Sequence, residues 1–221
     1  IAVGPSAQPP TSPQPGEPAA TRSVVTPASP PGAPAGDAPN LEALKQRMLA
    51  RVNADRAANG LDPVTWDDAA GLAAQRHAEE MAEFGYMSHW NMAGYGPEYR
   101  YSRAGGLDTA QENVYRLVYT WEGGGGAPIE DWERVVDEAE NALMNSPGHR
   151  ANILAPPHTH LGVGIAYNAA AGNVAIAQEF VNRYVTIEPL PRRAQPGDRI
   201  VLRGVLLEGS RNPLVNLAYE P

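Results

Sequence analysis

The sequence predicts an α+β domain that follows a long proline-rich segment and precedes a short β-rich extension. Residues 1–40 contain 11 of the 22 prolines and no Phe, Trp or Tyr. Apolar residues then recur at helical spacing in several segments up to residue 154, and alternating apolar residues follow between 161 and 180. We therefore divide the chain into a disordered tether (1–40), the α+β domain (41–188) and an extension or truncated β module (189–221).

The proline-rich segment is predicted to be disordered because it has too little apolar surface to offset its ordering entropy. It should form an extended, partly polyproline spacer. Such tethers commonly follow a signal or anchor in surface proteins, so the segment favours export; the alternative is a cytosolic linker left from a removed domain. The chain begins at Ile1 rather than Met, which fits a processed form that has lost a signal peptide.

Composition excludes several classes of function. The formal net charge is −8 and the pI is about 5.1, which argues against nucleic acid as a partner because its binding needs a clustered basic surface. The absence of cysteine excludes disulfides, thiol catalysis and cysteine-type zinc sites. No apolar run in the sequence reaches the roughly 18 residues that a transmembrane segment needs.

Helix start and stop signals delimit the α part of the domain. Asn40 is a favourable N-cap for the first helix, Gly60 ends that helix, and Gly85 ends the second. Ser146 stops the third helix and can cap a short fourth one, in which Pro147 takes the first position. The predicted helices cover about residues 41–59, 67–84, 130–144 and 147–155.

The β part of the domain is predicted from alternation. Residues 161–167 and 174–180 alternate in polarity around a turn-like segment, so they should pair as a hairpin. Residues 86–128 look irregular. In the extension, strands are expected at 200–202, 205–207 and 214–219, and so few residues need either the main domain or a further module to pack against.

The five histidines fall into three settings. His77 lies on the inner face of the second helix, as expected of a satisfied core histidine. His158 and His160 follow two prolines; their spacing can chelate a metal, but two solvated loop histidines are the favoured interpretation. His89 lies just past a helix end, and His149 lies in a first helical turn, where the helix dipole favours a neutral imidazole able to bind metal or act as a base.

Short motifs occur in a specific order along the domain. They are residues 52–56, Trp66, Ser88-His89, Glu112-Asn113, residues 146–154 (Ser-Pro-Gly-His-Arg-Ala-Asn-Ile-Leu), residues 161–164 and residues 178–180. In this order they resemble the CAP superfamily with its SCP domain, which includes cysteine-rich secretory proteins, antigen 5 and pathogenesis-related proteins of type 1. The chain looks like the bacterial, cysteine-free branch of that family over about residues 41–185.

The resemblance implies a three-layer α-β-α sandwich around a central antiparallel sheet, secretion, and a shallow cleft with two histidines and two acids. His89 and His149 match the two histidines, and Glu112 matches the glutamate of the Glu-Asn motif. Family members that carry the fourth residue have it in the helix before His149. Residues 142–146 contain no acid here, so Glu138 or Glu140, one to two turns earlier, is left as the candidate.

The chemistry of this set has two interpretations. Two neutral histidines are natural nitrogen ligands for zinc or a similar divalent ion, and Glu112 can orient an imidazole or accept a proton from a bound water. Alternatively, His89 and His149 satisfy Glu112 within a buried polar network. We favour the network, because two protein ligands alone hold a metal weakly.

Two functions follow from the two interpretations. The first is a secreted or surface-exposed binding module, not an enzyme, whose ligand is a lipid, a sterol, a carbohydrate or a protein. The second is a metal-assisted hydrolase, most simply a peptidase, that uses His89 and His149 as metal ligands and Glu112 as candidate base. We favour the binding module, because the fourth acid and a third metal ligand are lacking. The sequence has no His-Glu-x-x-His, Gly-x-Ser-x-Gly or phosphate-loop motif, and adjacency does not make Ser88 a nucleophile for His89.

One loop is expected to move over or beside the cleft. Gly123 to Gly126 form a run of four glycines between Trp121 and Trp132, and such a run has little intrinsic order.

Overall fold

The structure is a computed structural model that describes residues 21–26, 39–189, 191 and 193–210. Its helices are α1 (Leu41–Ala58), α2 (Asp68–Phe84), α3 (Pro97–Arg103), α4 (Trp132–Asn145) and α5 (Pro147–Ile153). Its strands are β1 (Thr21–Thr26), β2 (Thr65–Trp66), β3 (Thr109–Trp121), β4 (His160–Asn168), β5 (Asn173–Asn182), β6 (Val185–Ile187) and β7 (Gly204–Leu206).

The main sheet has five strands in the order β1-β3-β5-β4-β2. The predicted hairpin is confirmed as the antiparallel pair β4–β5, and β3 also runs antiparallel to β5. The expectation of a wholly antiparallel sheet is wrong at both edges, where β1 pairs parallel with β3 and β2 pairs parallel with β4. Parallel pairing needs a long connection, and both edge strands are separated from their partners by helices.

Helices cover both faces of this sheet, which confirms the α-β-α sandwich. Neighbouring residues of a strand point to opposite faces. On β5, Gln178 bonds to Glu140 of α4 and to Met48 of α1, whereas Glu179 shares its face with Glu112. That second face carries α2 and α3, because Glu112 is bonded to Arg100 of α3.

The predicted helices are confirmed, and the residues expected to begin or end them occupy those positions. Asn40 accepts a hydrogen bond from the backbone N–H of Ala43, and Gly85 ends α2 in the left-handed conformation with φ of 68°. Ser146 occupies the N-cap position of α5 but makes no capping bond with its side chain. Its hydroxyl bonds to His149 instead, which ties this serine to the candidate site.

The packing of α2 on β4 leaves no room for side chains at two glycines. A Cβ placed on Gly162 would lie 2.0 Å from the backbone nitrogen of Gly71, and one on Gly164 would lie 2.1 Å from the carbonyl oxygen of Ala74. The backbones of helix and strand are therefore in direct contact, and this contact requires glycine on the strand.

Residues 86–128 are more regular than predicted, since they contain α3 and the whole of β3. The alternation that identifies a half-exposed strand is missing from β3, because both of its faces are covered and polar Glu112 and Asn113 are both buried. The glycine loop that follows is bound by the β4–β5 turn, where Gly126 donates to the carbonyl of Ala170. Trp121, where the loop begins, follows Glu112 by nine positions of the same strand, or about 30 Å, and the expected movement of the loop stays a prediction.

The two ends of the chain differ from expectation in part. Thr21–Thr26 form β1 although the tether was predicted to lack regular structure; this stretch has no proline and is rich in Val and Thr, which favour strands. The rest of the tether, residues 1–20 and 27–38, lies outside the described residues. In the extension, β6 and β7 form a separate two-stranded sheet. Residues 200–202 are not a strand, and the strand expected at 214–219 lies outside the described residues.

Candidate functional site

Glu112 lies at the centre of a buried group of charged side chains. One carboxylate oxygen accepts a hydrogen bond from His89 Nδ1 at 2.9 Å, and the other accepts from Arg100 Nη2 at 2.5 Å. His77 Nε2 lies 3.9 Å from the second oxygen. Burial favours the protonated acid, but the bond from His89 and the charge of Arg100 together hold the pKa of Glu112 below its ordinary value. Glu112 is therefore an ionised acid whose two oxygens are both engaged.

Arg100 is the counter-ion of this site, and sequence analysis did not identify it. It lies buried on α3, where Gly96 and Pro97 form a helix start that the sequence displays. Its Nη1 donates to the carbonyls of His89 and Tyr95, at 2.7 and 2.8 Å. Arg100 thus binds Glu112 and both ends of the loop at residues 89–95.

The loop at residues 89–95 is held rigidly and yet exposes apolar side chains. Asn91 Oδ1 accepts hydrogen bonds from the backbone N–H groups of Ala93 and Tyr95. Trp90 and Met92 are 63% and 66% exposed. Large apolar side chains exposed on a loop whose backbone is hydrogen-bonded are typical of a binding surface.

His149 reaches the same strand from the opposite face of the sheet. Its Nδ1 lies 2.9 Å from the Ser146 hydroxyl, and its carbonyl accepts a bond of 3.3 Å from the side chain of Asn113. Asn113 adjoins Glu112 on β3. The structure brings His89 and Glu112 into direct contact and connects His149 to their strand; convergence of all three on a shared ligand stays a prediction.

The second acid of the site is the residue that sequence analysis placed least well. Glu140 is buried and bonded to Gln178, on the opposite face of the sheet from Glu112. Glu179 lies directly across from Glu112 in the β3–β5 register and is fully buried. Burial, followed by the charge of Glu112, raises the pKa of Glu179 well above its usual range. An acid between Gln178 and Phe180 in a strand buried on both faces was the signal that could have identified it.

The remaining histidines test the earlier assignments. His77 is a buried core histidine as predicted; its Nε2 donates to the Ser88 carbonyl, and burial lowers its pKa. The prediction that His158 is a solvated loop histidine is wrong. His158 is buried between Asn152 and Asn182 and stacks on Phe180, because the chain turns back into β4 directly after the two prolines. His160 is half-buried at the first position of β4.

The residues present fit a metal ion only weakly. Among the residues that the structure describes, no group of three or more His, Asp or Glu side chains is arranged to hold an ion. His89 Nδ1 and both Glu112 oxygens are engaged, and His149 Nδ1 is bonded to Ser146. That His89 and His149 act as two nitrogen ligands of an exchangeable zinc ion stays a prediction.

Comparison with known proteins identifies the fold and the family of this domain. Residues 49–184 match the cysteine-rich secretory protein family, CAP. A crystal structure of an extracellular protein containing an SCP domain, from Bacillus anthracis str. Ames, has a TM-score of 0.50 and 23% identity, and the match covers 64% of this chain and 41% of that one. This likeness shows the fold.

Two relatives from Bacillus subtilis (strain 168) match by sequence. The uncharacterized protein YkwD is 28% identical over 127 residues, which cover 57% of this chain and 43% of YkwD. The uncharacterized membrane protein YlbC is 32% identical over 124 residues, 55% of this chain and 31% of YlbC. The chain thus spans less than half the length of either relative. Across the described part of the chain, no helix combines the length and apolar character needed to cross a membrane.

Proposed function

Because the chain belongs to the CAP family of cysteine-rich secretory proteins, we propose that it is a secreted or cell-surface binding module rather than an enzyme. The observation that carries this proposal is the state of Glu112. Its carboxylate is buried, and its oxygens are bonded to His89 and Arg100. A general base must reach a water or substrate, whereas the Glu112 side chain is fully buried and its pKa is held low, which makes it a weak base.

The proposed binding surface is the exposed part of the loop at residues 89–95. Arg100, Glu112 and Asn91 fix its backbone, so little conformational entropy is lost when a ligand packs on Trp90 and Met92. A lipid, a sterol, a sugar ring or an apolar protein side chain can all pack on such a surface. An extracytoplasmic location is supported by the extracellular description of the Bacillus anthracis protein and by the proline-rich segment that precedes the domain.

A specific observation favours the alternative, a metal-assisted hydrolase. Glu112 accepts the proton of His89 Nδ1, which leaves the lone pair of that imidazole on Nε2. This is the tautomer that binds metal, and His149 supplies the second ligand.

Binding is tested with two probes, sedimented phosphatidylcholine vesicles with and without sterol, and insoluble cell-wall glycan. We expect the parent to be retained by one of them and Trp90→Ser to lose at least about 10-fold in affinity, since a buried aromatic anchor contributes more than about 1.4 kcal/mol. Phe84→Ser is the matched control, because Phe84 is also 63% exposed but lies at the end of α2. Equal retention of both variants, or none of the parent, would refute the proposed surface.

The alternative is tested by adding zinc. We expect a small zinc-dependent rise in melting temperature that His149→Ala removes and His160→Ala keeps, with no cleavage of a fluorogenic peptide library. Glu112→Gln should weaken zinc binding less than His149→Ala, because Glu112 orients a ligand without supplying one. Zinc-dependent peptide cleavage that is lost in Glu112→Gln would establish the hydrolase instead.

A further inference from the structure

A series of hydrogen-bonded polar side chains, all buried except the half-buried Asn152, runs beneath the candidate site on the α1 and α4 face of the sheet. Asn152 Nδ2 donates to Asn113 Oδ1 at 3.0 Å, and Asn113 Nδ2 donates to Gln178 Oε1 at 3.1 Å. Gln178 Nε2 then donates to Glu140 Oε2 at 2.5 Å. At the other end, His158 Nε2 lies 2.9 Å from Asn152 Oδ1. Each member of the chain is bonded to the next, from His158 to Glu140.

All the donors of this chain point the same way. If His158 carries its proton on Nε2, it donates to Asn152. Each amide nitrogen then donates to the next side chain, and the last one donates to an ionised Glu140. Burial lowers the pKa of His158 to about 4, so its ring holds a single proton at neutral pH. In the structure the other ring nitrogen, Nδ1, lies 2.7 Å from Asn182 Oδ1, so this direction also requires the Asn182 amide to rotate and present its nitrogen to the ring.

Amide groups allow the opposite direction equally well. Rotating each amide by half a turn exchanges its oxygen and nitrogen. A protonated Glu140 is then the first donor of the series, and His158 Nε2, in a ring that carries its proton on Nδ1, is the last acceptor. Mixed directions leave two oxygens or two N–H groups facing each other in a dry interior, which is costly. The chain therefore has two self-consistent states, and the proton on Glu140 distinguishes them.

Glu140 is set to exchange that proton near neutral pH. Its carboxyl is buried, and its Oε1 has no hydrogen-bond partner among the described residues. Burial is the largest effect that raises the pKa of Glu140 to about 7; the bond from Gln178 lowers it. The charged groups that face Glu140 are both on α1, where Asp55 raises its pKa and Arg51 lowers it, and β5 presents the uncharged Gln178.

We propose that Glu140 is a proton switch that reverses the direction of this chain and thereby moves His149. In the ionised state Asn113 donates to the His149 carbonyl. In the protonated state the Asn113 oxygen would face that carbonyl at the same 3.3 Å, and two carbonyl oxygens repel each other. The first turn of α5 shifts away, and the imidazole of His149 shifts with it. The effect on a bound ligand rests on the proposed function; the chain reversal does not.

The test reads the tautomer of His158 by ¹⁵N NMR of the imidazole nitrogens in the full chain, from pH 5.5 to 8.5. We expect the Nε2–H tautomer at high pH and the Nδ1–H tautomer at low pH, with a midpoint near 7 and no ring protonation. The His149 signals should shift with the same midpoint. Glu133→Gln, on the same helix but in an ion pair with Arg47, should leave this titration unchanged, and Glu140→Gln should remove it.

Asn152→Ala provides a second variant in case Glu140→Gln folds poorly. It interrupts the chain between Asn113 and His158, so the tautomer of His158 should no longer depend on pH while the His149 signals still do. A His158 tautomer that stays constant across the whole pH range in the parent would overturn the proposal, whatever the variants do. A transition that survives in Glu140→Gln would assign the proton to another group and overturn it equally.

Discussion

Replacing Arg100 by methionine tests whether the ion pair with Glu112 holds the site together. Methionine keeps much of the volume of arginine but leaves the buried Glu112 carboxylate without its counter-ion, and it removes the donors to the carbonyls of His89 and Tyr95. Breaking one side of a buried ion pair typically costs about 3–5 kcal/mol. For a domain of this size that corresponds to a fall in melting temperature of about 6–20 °C.

The loss of stability in Arg100→Met should be larger at high pH than at low pH. In the parent, the lowered pKa of Glu112 stabilises the fold above the unfolded-state pKa of about 4.3, and this stabilisation is lost as the pH falls. In the variant, burial dominates and raises the pKa of Glu112, so the penalty grows as the pH rises. Both effects make the difference between parent and variant larger at pH 7.5 than at pH 4.5.

Urea unfolding at these two pH values measures the difference. Arg47→Met is the matched control, because Arg47 forms ion pairs with Glu133 and Asp137 that are largely exposed to solvent. The reasoning is refuted if Arg100→Met loses no more stability than Arg47→Met at pH 7.5, or if its loss is the same at both pH values.

Two further predictions concern the sheet. Gly164→Ala should destabilise the fold by about 3 kcal/mol, because its Cβ would overlap the Ala74 carbonyl. Gly123→Ala is the control and should change stability little, because its added Cβ meets nothing within 4 Å. Thermal unfolding of both variants measures the difference. The raised pKa of Glu179 means that the parent loses stability as the pH rises from 5 to 8, whereas glutamine does not titrate. Glu179→Gln should therefore gain stability relative to the parent over this interval. Urea midpoints of the two proteins that differ by the same amount at pH 5 and pH 8 would contradict this.

Sequence predicted best the elements with regular spacing and clear ends, although β4 and β5 are buried on both faces. The β4–β5 hairpin and the helices α1, α2 and α4 display regular spacing and recognisable ends, and the motif around His149 identified the family over most of the domain. β3 was missed because the buried polar residues Glu112 and Asn113 are adjacent within it and interrupt any regular alternation of apolar side chains. The parallel edges of the sheet depend on long-range pairing, which local sequence does not encode.

The site was predictable to the extent that its residues belong to a motif. His89 and Glu112 were identified in this way, and their contact is direct. Glu179 lies in the motif at residues 178–180 but was given no role, and Arg100 lies in no motif; the register of β3 against β5 and the docking of α3 bring them to Glu112. His158 was misassigned because neighbouring prolines suggest a solvated loop, while its burial depends on Phe180 more than 20 residues away.

The glycines at which α2 contacts β4 have a consequence for how the domain can be engineered. With no side chains between the two backbones, no rotamer change can absorb a displacement there, so α2 and the central strands form a fixed base. The loop at residues 89–95 is attached to that base through side chains, chiefly by Arg100. A library that varies this loop while keeping Arg100, Gly162 and Gly164 should therefore change what the domain recognises without changing its scaffold.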